Sequence, residues 1–164
     1  MNQPYPRLLD LRRLRDALGD FATGVTVVTA RGVDGQPVGV TVNSFASVSL
    51  EPPLVLWSLG LQSPSLATFE SCSHYAINVL AAGQIELSQR FSQSQGDRFA
   101  GIELKVGAGD TPLLPGCCAW FECRNEMRYP GGDHRILVGH VERFRREERP
   151  PLIFHGGRYR DLSA

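Results

Sequence analysis

The sequence has no excess of either charge: 17 lysines and arginines stand against 17 aspartates and glutamates in 164 residues. A balanced chain offers no electrostatic footprint for nucleic acid or an anionic membrane, and little repulsion to oppose self-association. No apolar run approaches the roughly 18–20 residues of a bilayer span. The opening MNQPYPRLLDLRRLRD lacks the uninterrupted apolar stretch of a secretory signal. Cysteine is scarce, at positions 72, 117, 118 and 123 only. None of the four forms C-x-x-C and two are adjacent, so neither a zinc spacing nor a disulfide framework is indicated. Free thiols are expected in a reducing, cytoplasmic setting. The dinucleotide fingerprint G-x-G-x-x-G is missing from the strand that would open a doubly wound sheet, and there is no nucleophile elbow. His74, His140 and His155 carry no metal-binding pattern. The carboxylate pair Glu147-Glu148 lies in the charge run ERFRREER, which reads as a solvated edge.

What is present is a strand-rich chain, expected to form one domain over residues 1–164. Leu11, Leu14, Leu18 and Phe21 recur at helical spacing behind a possible cap, Asp10, with Gly19 near the end. GVTVVTARGVDGQPVGVTVNSF then reads as two β-branched runs joined at Asp34-Gly35, a hairpin. Residues 54–60 and 74–81 read as strands, and 83–93 as a helix. In SPSLATFES, Ser63 is the expected helix cap and Pro64 the first helical residue. Three further strands follow, in CCAWFECRNEMRYP, HRILVGHVERFRRE and PLIFHGGRYRDL. The strand period of two puts Cys117, Ala119, Phe121 and Cys123 on one face, with Cys117 and Cys123 buried. Too few helices separate the strands for parallel crossovers. The expected class is mainly β, an antiparallel barrel or sandwich with short helices at its ends.

Three polar segments interrupt this pattern. Asn43 and Ser44 stand where a strand leaves the core, between Val42 and Phe45. An amide and a hydroxyl there suit the polyol and phosphate of a nucleotide-like ligand, with the apolar neighbours as wall for a flat ring. An ordinary strand-ending turn is the simpler reading of the same residues. Ser63 and Ser65 at a helix start could meet a phosphate or merely cap the helix. Gly131-Gly132-Asp133-His134 makes a turn that a ligand could approach closely, or a plain hairpin.

Read together, FATGVTVVTA, GVTVNSFASVSLEPPLVLWSL, SPSL, YAINVLA, RF and GGDHRILVGHV stand in an order and spacing that resemble the short-chain flavin reductases, which supply reduced flavin to two-component monooxygenases. The resemblance runs from about Leu14 to Tyr159. It implies a split β-barrel of Greek-key topology, usually a homodimer, that binds FMN or FAD and takes hydride from NADH or NADPH. Carried over position by position, Thr41, Val42, Asn43, Ser44 and Phe45 match the flavin-binding segment. Ser58, Ser63 and Ser65 match ribityl- and phosphate-side positions, and Arg90-Phe91 a pair near the flavin. Gly132, Asp133 and His134 match the nicotinamide-nucleotide motif, with His134 the expected catalytic position. The chain departs from the family at Gln62-Ser63-Pro64-Ser65, where Pro64 removes a backbone donor from the phosphate cradle. A non-catalytic flavin- or cofactor-binding module on the same barrel is the alternative.

Overall fold

The computed structural model describes residues 9–162. In chain order its elements are α1 (Leu11–Gly19), β1 (Thr23–Gly24), β2 (Thr26–Arg31), β3 (Pro37–Val42), β4 (Ala46–Leu50), β5 (Pro53–Gly60) and α2 (Leu66–Ser71). They continue with β6 (His74–Val79), α3 (Ile85–Ser92), β7 (Lys105–Val106), β8 (Pro112–Leu113), β9 (Ala119–Gly131), β10 (His134–Arg146), β11 (Ile153–His155) and β12 (Arg158–Arg160). Seven strands form one antiparallel sheet in the order β3-β2-β6-β9-β10-β5-β4. The long hairpin β9–β10 is thus inserted between β5 and β6, which follow one another in the chain. The sheet curls until β3 and β5 touch. No ladder joins those two strands. Ser44 closes the seam instead: its hydroxyl accepts from the Ser58 N–H at 2.9 Å and donates to the Ser58 carbonyl at 3.2 Å. The barrel is split at this point.

Alternation decides what fills it. On β5, Val55, Trp57 and Leu59 point inward, and the residues between them are half-buried. Trp57 meets Phe69 and Tyr75 edge-on, at centroid separations of 4.9 and 5.6 Å. β2 is buried on both faces because it serves two cores. Val28 and Ala30 pack inside the barrel, while Val25 and Val27 pack outside it with Leu80, Phe91, Leu114 and Trp120. That second core brings α3 and the β11–β12 hairpin against the barrel.

Several expectations need correction. Asp10 does cap α1, accepting from the Arg12 and Arg13 amides, but no α1 residue is buried. The helix reaches the C-terminal hairpin through its end, where Gly156 N–H donates to the Gly19 carbonyl at 2.9 Å, so its apolar stripe stays in solvent. Ala46–Leu50 is a strand that the periodicity did not reveal. It lies on the sheet edge with Val48 and Leu50 exposed, and so carries no inward stripe. Helix α2 starts at Leu66 with Ser65 as cap, and Pro64 sits in the preceding turn, where Leu66 N–H bonds to the Ser63 carbonyl. The last segment is a hairpin, not one strand. Cys117 and Cys123 are both fully buried, yet β9 begins only at Ala119. Cys117 consequently joins the outer core and Cys123 the barrel core, and burial pushes each thiol up to about 12.

Candidate functional site

The split in the barrel opens into a cleft of about 560 Å³. Its floor is the end of β3 and the residues just after it: Val40, Thr41, Val42, Asn43 and Ser44. Ser58, Leu59 and Gly60 from β5, Ser63 from the turn beyond, and Gly131, His134 and Ile136 from the β9–β10 hairpin complete the wall. Three segments far apart in sequence meet here for a structural reason. β3 ends at Val42, the Ser44 bonds pin its exit to Ser58, and Ser58 lies opposite Ile136 in the β5–β10 ladder.

Neighbouring side chains at the floor have different tasks. Thr41 turns its hydroxyl away, donating to the Ser88 carbonyl at 2.7 Å. Val42 packs against the barrel core. Ser44 is committed to the seam. Asn43 is exposed, and among the described residues its amide makes no hydrogen bond. It borders not only this cleft but two further recesses, one of about 210 Å³ beside Ser88 and Tyr159, and one of about 650 Å³ beside the end of α1. Asn43 thus offers a free donor and acceptor where three hollows join.

The hairpin at the rim is tightly specified. Gly131 pairs with His134, leaving Gly132 and Asp133 as a two-residue turn, and Gly132 takes φ +69°. A positive φ at the first central position is the reason for glycine there. Leu61 N–H donates to the Asp133 carbonyl at 2.9 Å, fastening the turn to the end of β5. His134 is half-exposed and its Nδ1 lies 2.6 Å from Asp133 Oδ1. With Nδ1–H donated to the carboxylate, Nε2 is left as an acceptor in the neutral ring, on the side of Gly60. The His134 hydrogen bond in turn holds the Asp133 carboxyl below the usual carboxylate range. Opposite His134, Gly60 has no side chain to fill the space near Nε2.

These features stand on a chain whose residues 18–163 match the family described as "Flavin reductase like domain". The chain belongs to the flavin reductase like family. The NADH-dependent FMN reductase SmoA of Agrobacterium fabrum is 47% identical over 152 residues, a match covering 93% of this chain and 86% of that protein. The reductase component of the flavin-dependent trigonelline monooxygenase of Acinetobacter baylyi is 44% identical over 149 residues, but this chain spans only 48% of it. Among solved structures, the NADH:FAD oxidoreductase of Streptomyces globisporus in complex with NAD and FAD fragments superposes with a TM-score of 0.89 at 38% identity, covering 99% of this chain and 98% of that one. The split barrel expected from the family resemblance is the fold observed.

Not every position matched to the flavin reductases reaches the cleft. Thr41, Val42, Asn43, Ser44, Ser58, Ser63 and His134 do. Phe45 turns into the barrel wall, its ring 5.4 Å from that of Phe121. Ser65 is buried and makes no cap bond, its N–H donating to Ser63 Oγ at 3.3 Å, so Ser63 is the hydroxyl of this turn that faces the cleft. Arg90 reaches back to the Ala100 carbonyl, and Phe91 is fully buried against Gly39 and Phe99. Gly132 and Asp133 shape the rim without lining the cleft; the Asp133 side chain is 95% exposed. Sequence reasoning missed Ser88 and Tyr159, whose hydroxyls lie 2.9 Å apart in the recess across Asn43. The tyrosine two residues after the Gly156-Gly157 turn was the available signal.

Proposed function

We propose that the protein is an NAD(P)H:flavin oxidoreductase that reduces FMN or FAD and supplies reduced flavin to a partner monooxygenase. The observation that carries this reading is the cleft at the split of the barrel, where Asn43 is left unpaired beside Ser58, Ser63 and His134 on a flavin reductase like chain. The residues fit a flavin: the half-buried Val40, Val42 and Ile136 give an apolar wall for a flat ring, and Asn43, Ser58 and Ser63 give hydrogen-bonding groups for its polar edge and polyol. A phosphate cradle on α2 fits less well, because Pro64 lacks an N–H and the Ser65 side chain is buried.

When bound, the flavin supplies the redox chemistry by accepting hydride from reduced nicotinamide. The chain's task is to hold both partners in register and to limit water at the reacting centre. Asn43 and Ser63 orient the flavin. Ser44 acts at one remove, by keeping the floor attached to β5. His134, held by Asp133, presents Nε2 as an acceptor to the nicotinamide carboxamide N–H when neutral, or as a donor to a nucleotide phosphate when protonated. No acid–base dyad is required, since hydride transfer moves no proton at this step.

The same reading makes the protein a cytoplasmic homodimer. Val48 and Leu50 on the edge strand, Phe144 on β10 and Leu11 on α1 are large apolar side chains left in solvent. A second copy would cover them, and the chain as a whole carries no net charge to oppose it. Sedimentation equilibrium at micromolar concentration is expected to give twice the 18.1 kDa chain mass; a monomer would count against this assembly. Steady-state oxidation of NADH and NADPH with added FMN, FAD or riboflavin tests the activity. Flavin-dependent turnover is expected. Flavin binding without nicotinamide oxidation would make the chain a cofactor-binding module instead.

A further inference from the structure

The recess beside Ser88 and Tyr159 shares Asn43 with the His134 cleft and lies on the α3 side of it. At about 210 Å³ it falls below the roughly 300–1,000 Å³ of ligand pockets. Its wall holds a hydroxyl pair that the flavin and nicotinamide roles do not use, Tyr159 OH and Ser88 Oγ, 2.9 Å apart. Resting on the reading of the cleft as a flavin site, we propose that Tyr159 is a positioning residue for that site. Acting through Ser88 and Thr41, it sets the end of β3 and with it the place of Asn43.

The Ser88 hydroxyl is used in a way that its helix does not require. A serine inside a helix can turn its hydroxyl back to a carbonyl of the preceding turn. Ser92, on the same helix, does so with Gln89 at 2.7 Å, and Ser71 of α2 with Ala67 at 2.8 Å. Ser88 is fully buried, and its hydroxyl instead meets β12, 71 residues further along the chain. The surroundings are apolar. Tyr159 packs edge-on to Phe154 at 5.5 Å, and both lie against the outer core that holds Val25 and Phe91. Apolar packing alone has no direction. A hydrogen bond set within it fixes the register of α3 against the C-terminal hairpin.

That register is passed to the floor of the cleft. Thr41 donates to the Ser88 carbonyl at 2.7 Å. Gly39, two residues earlier on β3, lets the Phe91 ring of α3 lie against the strand, where a Cβ would stand 2.7 Å from it. The Val42 carbonyl accepts from the Thr26 hydroxyl at 3.1 Å, and Ser44 is pinned to Ser58. Asn43 is therefore a free side chain on a backbone held at 41, 42 and 44. Tyr159 does not line the His134 cleft, so its effect on a flavin there passes through these contacts.

The test compares Tyr159→Phe, the paired variant Ser88→Ala/Tyr159→Phe and Asn43→Ala, alone and combined. The paired variant leaves no buried hydroxyl without its partner, so it is expected to keep the fold even where Tyr159→Phe alone costs stability; thermal melting reports on both. FMN affinity by fluorescence quenching should fall about fivefold in the paired variant and about tenfold in Asn43→Ala. Combined, the loss should stay at about tenfold, because a residue that acts through Asn43 has nothing left to place. A combined loss of about fiftyfold would mean independent action and would overturn the proposal. Unchanged FMN affinity in the paired variant would overturn it as well. In stopped-flow reduction at saturating FMN, the apparent affinity for NADH should stay at the wild-type level. A loss there as large as the loss for FMN would make Tyr159 a general brace of the fold and not a positioning residue for the flavin. Wild-type protein that binds FMN yet oxidises no nicotinamide would remove the reductase reading and leave the FMN titrations to judge Tyr159. Amide exchange of the ligand-free protein needs neither FMN nor NADH. Residues 41–43 should exchange faster in the paired variant, with residues 54–60 unchanged. Wild-type exchange at 41–43 would overturn the role of Tyr159 whatever the chain reduces.

Discussion

The split of the barrel and the recess around Trp120 are both hollows walled by polar residues, of about 560 and 300 Å³. Around Trp120 the glutamates and arginines are spent on one another. Glu147 is shared by Arg145 and Arg149, Glu122 takes Arg143 and the Ala108 N–H, and the Arg145 guanidinium lies 4.6 Å from the Trp120 ring centroid. Charge there is abundant, but it supports the ends of β9 and β10. At the split the charges are fewer and the neutral groups are divided: Ser44 is fully committed to Ser58, while Asn43 beside it has no partner. On the reading proposed above, binding capacity is expected to follow the unspent hydrogen-bonding groups rather than the density of charge.

Substitutions can break this contrast. The largest effect expected is on stability, from Ser44→Ala. It removes both seam bonds, worth about 1 kcal/mol each, or about 2 kcal/mol together. For a chain of this size the melting temperature should fall by roughly 4–8 °C. An unchanged melting curve would mean that the seam holds without Ser44. Next, Asn43→Ala should weaken flavin binding about tenfold in a fluorescence-quenching titration, with the melting temperature of the ligand-free protein unmoved. If the protein instead melts early and the remaining affinity is normal, Asn43 is a turn residue. His134→Ala should raise the KM for NAD(P)H about fivefold and leave flavin affinity near normal. Stopped-flow flavin reduction that is unchanged across all NADH concentrations would remove His134 from the site.

The smallest effect belongs to the Trp120 side. Hydrogen bonds from Arg145 and Arg149 hold the Glu147 carboxyl below the usual carboxylate range. A depressed folded value means that the contribution is complete above the unfolded pKa, about 4.3, and is lost as pH falls through the folded one. The gap in melting temperature between wild type and Glu147→Gln should therefore be small at neutral pH and vanish in acid. A gap that widens on acidification would contradict this assignment.

Much of the fold could be read from the residues because burial and periodicity agree there. Trp57 and its β5 neighbours alternate cleanly, and Asp34-Gly35 marks a hairpin that forms, with Gly35 at φ +77°. Reading failed where one of the two signals is absent. β4 has no buried stripe because it is an edge, and α1 has a stripe that the described chain does not bury. Cys117 was assigned by a period that starts two residues later. At the site, Asn43 and His134 were legible as polar residues at strand ends. The partnership of Ser44 with Ser58 was not, since a hydroxyl bonded across a barrel seam leaves no local trace. Phe91 came with the family pattern, but α3 turns it onto Gly39 and into the outer core. Tyr159 was hidden because its partner, Ser88, is 71 residues away.

The most direct test is where flavin protects the backbone. Amide hydrogen exchange should be compared with and without saturating FMN. Slower exchange is expected in residues 41–45, 58–63 and 131–136, with residues 113–122 and 143–149 unchanged. Protection confined to the segments around Trp120, with exchange at 41–45 unaltered, would contradict the assignment of the split of the barrel as the flavin site.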